Sequence, residues 1–237
     1  MILLQSVLNQ KAVISDGFFM FERNQKMKCY FAGALFNHKE LVGNRLLMDA
    51  VAAHSQNKWI ANFPQETSEN QFRPSPLQIR DHDLALVMES DAALIHFDGS
   101  ELDSGTVAEF MVARFLDLPC VLFRSDFRSA GDQNADDAPW NLMLSGYPRT
   151  VVVRYNAMAQ YQQFFRTLPT AEALKAYYDE MGSLISHALD DVHASAPILK
   201  NKAERLNAFQ TMIRLCGGNL ADLFPGEKLL SLPGIYE

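Results

Sequence analysis

Cysteine is scarce in this 237-residue chain: Cys29, Cys120 and Cys216 are odd in number, far apart and without any Cys-x-x-Cys spacing. A disulfide framework or a thiolate metal site is therefore not expected, and reduced thiols fit a cytoplasmic setting. Long hydrophobic runs are missing as well. None approaches the ~18 apolar residues a spanning helix needs, so no membrane partner is expected. The opening Met1-Ile-Leu-Leu has no basic stretch, long apolar core or cleavage site, which argues against secretion. Positive charge is in deficit: 21 Lys and Arg against 28 Asp and Glu leave a net charge of −7, and the basic residues are scattered. Phosphate-backbone binding needs a basic face, so no nucleic-acid partner is expected. What remains is ordinary globular composition, 48% hydrophobic and 21% charged, without repeats or low-complexity tracts.

The chain divides by pattern into an N-terminal extension (1–26), an α/β domain (27–168) and a helical C-terminal extension (169–237). Apolar runs at 28–33, 58–63, 91–97, 119–124 and 150–154 alternate with helical patterns at 37–55, 76–89, 105–117 and 139–145. Nearly all-apolar strands separated by helices predict a flavodoxin-like or Rossmann-like α/β fold, a parallel sheet of about five strands with helices on both faces. Ligands of such sheets bind beyond the carboxyl ends of the strands. Chemistry is thus expected after Gly33, after Phe63 and between Phe97 and Glu109. In 170–192 and 198–215, apolar residues recur at helical spacing, and Gly217-Gly218 suits the second helix's C-terminal cap. These helices are expected to cover the sheet or to build a subunit interface.

The segment richest in chemistry is Asp98-Gly-Ser-Glu-Leu-Asp103-Ser-Gly-Thr-Val-Ala-Glu109. A buried strand ends at Phe97, a polar loop follows, and a helix starts near Ser104, the expected N-cap. Glu109 falls about one turn inside, where the positive end of the helix dipole is expected to favour its ionised form. Acids crowded at a strand's carboxyl end suit sugar hydroxyls, a glycosidic bond or a cation. The six histidines show no ligand spacing and read as structural or surface residues, so neither a metal nor another cofactor is expected.

Six pieces in order resemble the nucleoside 2-deoxyribosyltransferase family: Tyr30-Phe-Ala-Gly-Ala-Leu-Phe36, Phe63-Pro-Gln-Glu66, Asp83, Ser90-Asp-Ala, Asp98-Gly with Asp103 through Glu109, and Asn141-Leu-Met143. The ending Gly234-Ile-Tyr236 agrees, although Glu237 follows it here. The resemblance spans about residues 28–155 and the last few. It implies base exchange on 2′-deoxynucleosides, with Glu109 as the nucleophile at C1′, Asp83 as the acid that protonates the departing base, and Tyr30 positioning the Glu109 carboxylate. Asp103 would accept hydrogen bonds from sugar hydroxyls and, by its charge, repel a 5′-phosphate. Gln65 would pair with a base edge, and Gly33 and Asp98 would line the substrate site. Asn141 would reach a neighbouring subunit's site and Tyr236 would close the pocket, so a homo-oligomer with shared sites is implied. Hydrolysis by an N-glycosidase and non-catalytic sensing of a nucleoside-like metabolite remain alternatives.

Overall fold

A computed structural model describes residues 12–15, 18–21, 26–66, 74–128 and 140–235. Near the amino terminus, the backbones of β1 (Ala12–Ser15) and β2 (Phe18–Phe21) pair antiparallel. The main sheet contains β3 (Met27–Ala32), β4 (Trp59–Asn62), β5 (Ala92–His96), β6 (Cys120–Arg124) and β7 (Thr150–Arg154). All its pairings are parallel and the spatial order is β4-β3-β5-β6-β7. This is the flavodoxin-like order, whose switch point falls between β3 and β5.

Alternation along each strand divides the interior into two cores. Cys29 and Phe31 of β3, with Leu94 and Phe123, pack against α1 (His38–His54) and α5 (Thr170–His193). Tyr30 and Ala32, with Ile95 and Phe97, pack against α2 (Pro76–Met88) and α3 (Ser104–Phe115). Each fully buried Leu or Ile contributes roughly 1.5–3 kcal/mol, so a slip of one residue, which would turn both sets inside out, is strongly opposed. The C-terminal helices share these cores. Met181, Ile185 and Leu189 of α5 complete one, while Phe209 and Ile213 of α6 (Lys202–Cys216) enter the other. The second core also takes Leu220 of α7 (Leu220–Leu223) and Leu229 of α8 (Gly226–Leu230). The fold is thus the expected doubly covered parallel sheet, and α5 is one of its covering helices. No helix among the described residues is long and apolar enough to cross a membrane.

Local chemistry sets the helix starts. Ser75 caps α2 in a reciprocal box with Gln78, and Pro76 occupies the first turn, where its missing N–H costs nothing. Gly217, at φ 60°, caps α6 as the sequence predicts. Two expectations change. The cap of α3 is Asp103, one residue earlier than expected, because its carboxylate reaches the Thr106 N–H at 2.7 Å. Of the helix expected over 139–145, residue 139 lies outside the described residues, and only a 3₁₀ turn at Leu142–Leu144 forms among the rest. Asn141 caps that turn at its start, Ser145 closes it, and Gly146, at φ 75°, comes next. A short α4 (Ala157–Phe165), unmarked by the sequence pattern, packs on α5.

Candidate active site

Tyr30 lies inside β3 and is fully buried, and strand alternation turns it toward α3. Its hydroxyl donates to Glu109 Oε1 at 2.8 Å, joining residues 79 apart in sequence. Glu109 is half-buried beside the fully buried Phe110. Burial pushes its carboxyl from 4.5 up to about 7; the Tyr30 hydrogen bond opposes this, and the charges of Asp83 and Asp103 add to it. The helix dipole was expected to favour the ionised form, but the shift has the opposite sign. Glu109 lies in the second turn of α3, beyond the reach of the terminal dipole, so desolvation and like charge prevail. The same causes raise Tyr30 well above 10, burial first and Glu109 next. Tyr30 therefore remains a protonated donor. Asp83 of α2 influences both groups, so the fold gathers Tyr30, Asp83, Asp103 and Glu109 into one electrostatic unit.

Asp103 is half-buried, and its Oδ2 accepts from the Thr106 backbone at 2.7 Å and the Thr106 hydroxyl at 2.9 Å. One oxygen thus anchors α3. Gly33 is the first residue beyond β3. A Cβ there would stand 2.9 Å from Phe31 Cε1 and 3.2 Å from His96 Cβ, so the close packing of β3 on β5 at the switch point requires glycine. A cleft of about 360 Å³ opens at this point, lined by Lys39, Asn44, His96, Asp98, Asp103 and Tyr178 among others.

Three sequence-predicted residues have other attachments. Asp98 was expected at the substrate, yet its oxygens serve the protein. Oδ1 accepts from Ser125 N at 2.7 Å and Asp126 N at 3.0 Å, while Oδ2 meets the Ser125 hydroxyl and lies 2.9 Å from His96 Nε2. Although burial opposes it, these partners hold Asp98 well below the usual carboxylate range. Gln65 has both ends of its amide bound to α1. Its Oε1 accepts from Asn44 at 3.3 Å and its Nε2 donates to Leu41 O at 3.1 Å, leaving one N–H for a base edge. Asn141 is exposed and accepts from Met143 N at 2.9 Å. It borders a second cleft, of about 530 Å³, with Ser104 and Val107 of α3.

Tyr236 lies outside the described residues. Of its motif, Gly234 accepts from Arg205 at 2.9 Å and borders a small pocket with Ser90, Asp91 and Pro119, at the amino ends of β5 and β6. Sequence reasoning overlooked Tyr177 and Tyr178, which bring α5 into the 360 Å³ cleft, and the run Arg124-Ser-Asp-Phe-Arg128. Alternating charge directly after an apolar strand was the available signal for that run. Among the described residues, no group of three or more His, Cys, Asp or Glu side chains could hold a metal.

Comparison with known proteins bears on this geometry. Residues 29–143 match the family model described as nucleoside 2-deoxyribosyltransferase. No curated protein matches the chain. Among solved structures, a conserved protein from Enterococcus faecalis V583 is 25% identical, with 54% of this chain and 92% of that one covered at a TM-score of 0.45. A 2-deoxyribosyltransferase from Bacillus psychrosaccharolyticus is 19% identical, with 62% and 95% covered at 0.38. A CMP N-glycosidase from Clostridium botulinum is 15% identical, with 60% and 99% covered at 0.38. The family match spans the strands and helices that carry Tyr30, Asp83, Asp103 and Glu109. Over that stretch the resemblance read from the sequence is borne out.

Proposed function

We propose that this chain, whose residues 29–143 match the nucleoside 2-deoxyribosyltransferase family model, exchanges the base of 2′-deoxynucleosides through a covalent deoxyribosyl–Glu109 ester. The observation that carries this reading is the 2.8 Å bond from Tyr30 to Glu109, in a half-buried site shared with Asp83 and Asp103. Tyr30 engages one carboxyl oxygen, which orients the other toward C1′. As Glu109 attacks, the glycosidic bond breaks, its electron pair goes to the base nitrogen, and Asp83 supplies that nitrogen with a proton. A second base then attacks C1′ from the vacated side. The ester bond breaks, Glu109 leaves as carboxylate, and Asp83 takes the incoming base's proton. Two displacements give retention.

The elevated carboxyl of Glu109 provides a basic oxygen for attack but requires ionisation first. Asp103 accepts a sugar hydroxyl on the oxygen that Thr106 does not use, and its charge favours nucleosides over nucleotides. Gly33 gives the sugar close access to the backbone, and Gln65 offers its remaining N–H to a base. Leu142 and Met143 stand 54% and 75% exposed beside Asn141, as suits a segment that completes a neighbouring subunit's site in a homo-oligomer. The physiological role is deoxynucleoside salvage.

The test is incubation with 2′-deoxyinosine and adenine or cytosine, followed by chromatography, with inosine as a parallel donor. A new deoxynucleoside formed only from the deoxy donor is the expected result. Free deoxyribose without exchange would make the protein a hydrolase, and silence across a wider donor panel would leave metabolite sensing as the reading.

A further inference from the structure

The β5–α3 loop carries Asp103 and sets the origin of the helix that bears Glu109, so its placement matters to the whole site. The last backbone rung of the β5–β6 ladder is Phe97 N to Phe123 O at 2.8 Å. Beyond it the two chains diverge, and side chains take over. Arg124 Nη1 donates to Phe97 O at 2.6 Å, and Nη2 donates to Arg128 O at 3.0 Å. Asp98 accepts the backbone N–H groups of Ser125 and Asp126. In return, Asp126 Oδ2 accepts Gly99 N at 3.2 Å. Three consecutive residues leaving β5 are therefore each held by residues leaving β6, and each loop gives a carboxylate to the other's backbone. Gly99, at φ 103°, makes the turn that this exchange requires.

The charges in this junction are not surface decoration. The Arg124 side chain is 1% exposed, its nearest carboxylate, Asp126, is 4.0 Å away, and its hydrogen-bond acceptors are neutral carbonyls. Keeping a guanidinium there carries a desolvation cost that an apolar side chain of the same length would avoid. What the apolar side chain would lack is a rigid fork able to span two carbonyls. Arg128, 58% exposed, clamps Asp126 from outside through its backbone N–H at 3.0 Å and its Nε at 2.9 Å.

We propose that Arg124, Asp126 and Arg128 form a positioning clasp that fixes the 98–103 loop and the start of α3, and thereby aligns Asp103 and Glu109 with the sugar. The three act through Phe97, Asp98 and Gly99. The proposal rests on the deoxyribosyl-transfer reading for its kinetic consequence, but its structural half stands apart from that reading.

Arg124→Met, Arg124→Lys and Arg128→Ala test it by hydrogen exchange over 97–104 and by steady-state kinetics across pH. Exchange in that segment should quicken at least tenfold in Arg124→Met. Its kcat should fall about 10–100-fold, as a misplacement near 1 Å does, with KM changed less than about threefold by the same reasoning. The acid limb of the pH profile should shift down as Asp103 moves from Glu109. Arg124→Lys should recover part of the loss, because an ammonium reaches one carbonyl but not both. Arg128→Ala, altered at an exposed position, guards against simple unfolding and should show the same pattern more weakly. Unchanged exchange, or lower stability with unchanged kcat per folded molecule, overturns the clasp. If the wild-type protein exchanges no bases, the functional reading fails, and hydrogen exchange alone decides whether the loop is held as described.

Discussion

Glu109→Gln should abolish base exchange and, at alkaline pH, make the protein more stable. The wild-type carboxyl titrates near 7 when folded and near 4.5 when free. The folded state therefore binds this proton more tightly, and its contribution to stability is lost as pH rises from about 4.5 through about 7. That difference amounts to roughly 3 kcal/mol of destabilisation by the ionised form at pH 8, and to roughly 1 kcal/mol or less at pH 5. Glutamine is neutral throughout, and its Oε1 can still accept the Tyr30 hydroxyl, so the geometry is retained while the buried charge is removed. Denaturant unfolding of both proteins at pH 5 and pH 8 measures the effect. The variant should gain on the order of 2 kcal/mol more at pH 8 than at pH 5. Equal gains at the two pH values would refute the desolvation account. Substantial turnover by the folded variant would refute the nucleophile assignment independently.

The remaining predictions concern the neighbours of Glu109. Tyr30→Phe deletes a hydrogen bond that lowers the Glu109 pKa, so the acid limb of kcat/KM should move above pH 7; a profile left in place would count against Tyr30. Asp83→Asn should slow cleavage least for donors with good leaving bases, since protonation then matters less. An equal loss across leaving groups would remove Asp83 from the acid role. Asp103→Ser should raise turnover of 5′-monophosphate donors by relieving repulsion, and should lower the Glu109 pKa toward the ordinary range. Serine also caps helices well, so the stability cost should stay within about 1 kcal/mol, and unchanged nucleotide turnover would undercut the electrostatic argument.

The layered fold was legible because its signals are local. Apolar runs such as 91–97 and 119–124 suit only strands covered on both faces, and the helices between them leave parallel pairing as the economical solution. Ser75-Pro76 and Gly217 mark helix ends by backbone chemistry that needs no distant partner. The error at 139–145 has the same origin: Asn141 satisfied the rule for a helix start, while Ser145-Gly146 ended the turn before a helix could form. The cap of α3 moved by one residue because Asp103 and Ser104 are both good caps, and only the path of the incoming loop decides between them.

What the sequence determined by itself was the order of elements, the carboxyl-end location of the acids and the family pattern that links Tyr30, Asp83, Asp103 and Glu109. Tertiary structure decided what each acid became. Glu109, facing a buried tyrosine and two further carboxylates, is pushed up to about 7. Asp98, eleven positions earlier, meets His96 and the backbone N–H groups of the β6 exit and is held ionised. Both are carboxylates near one strand end, and apart from His96 beside Asp98 what separates them is tertiary. A carboxyl's proton affinity depends on burial and on which dipoles and charges face it, and here Tyr30 and Asp83 reach Glu109, and Ser125 and Asp126 reach Asp98, from segments tens of residues away.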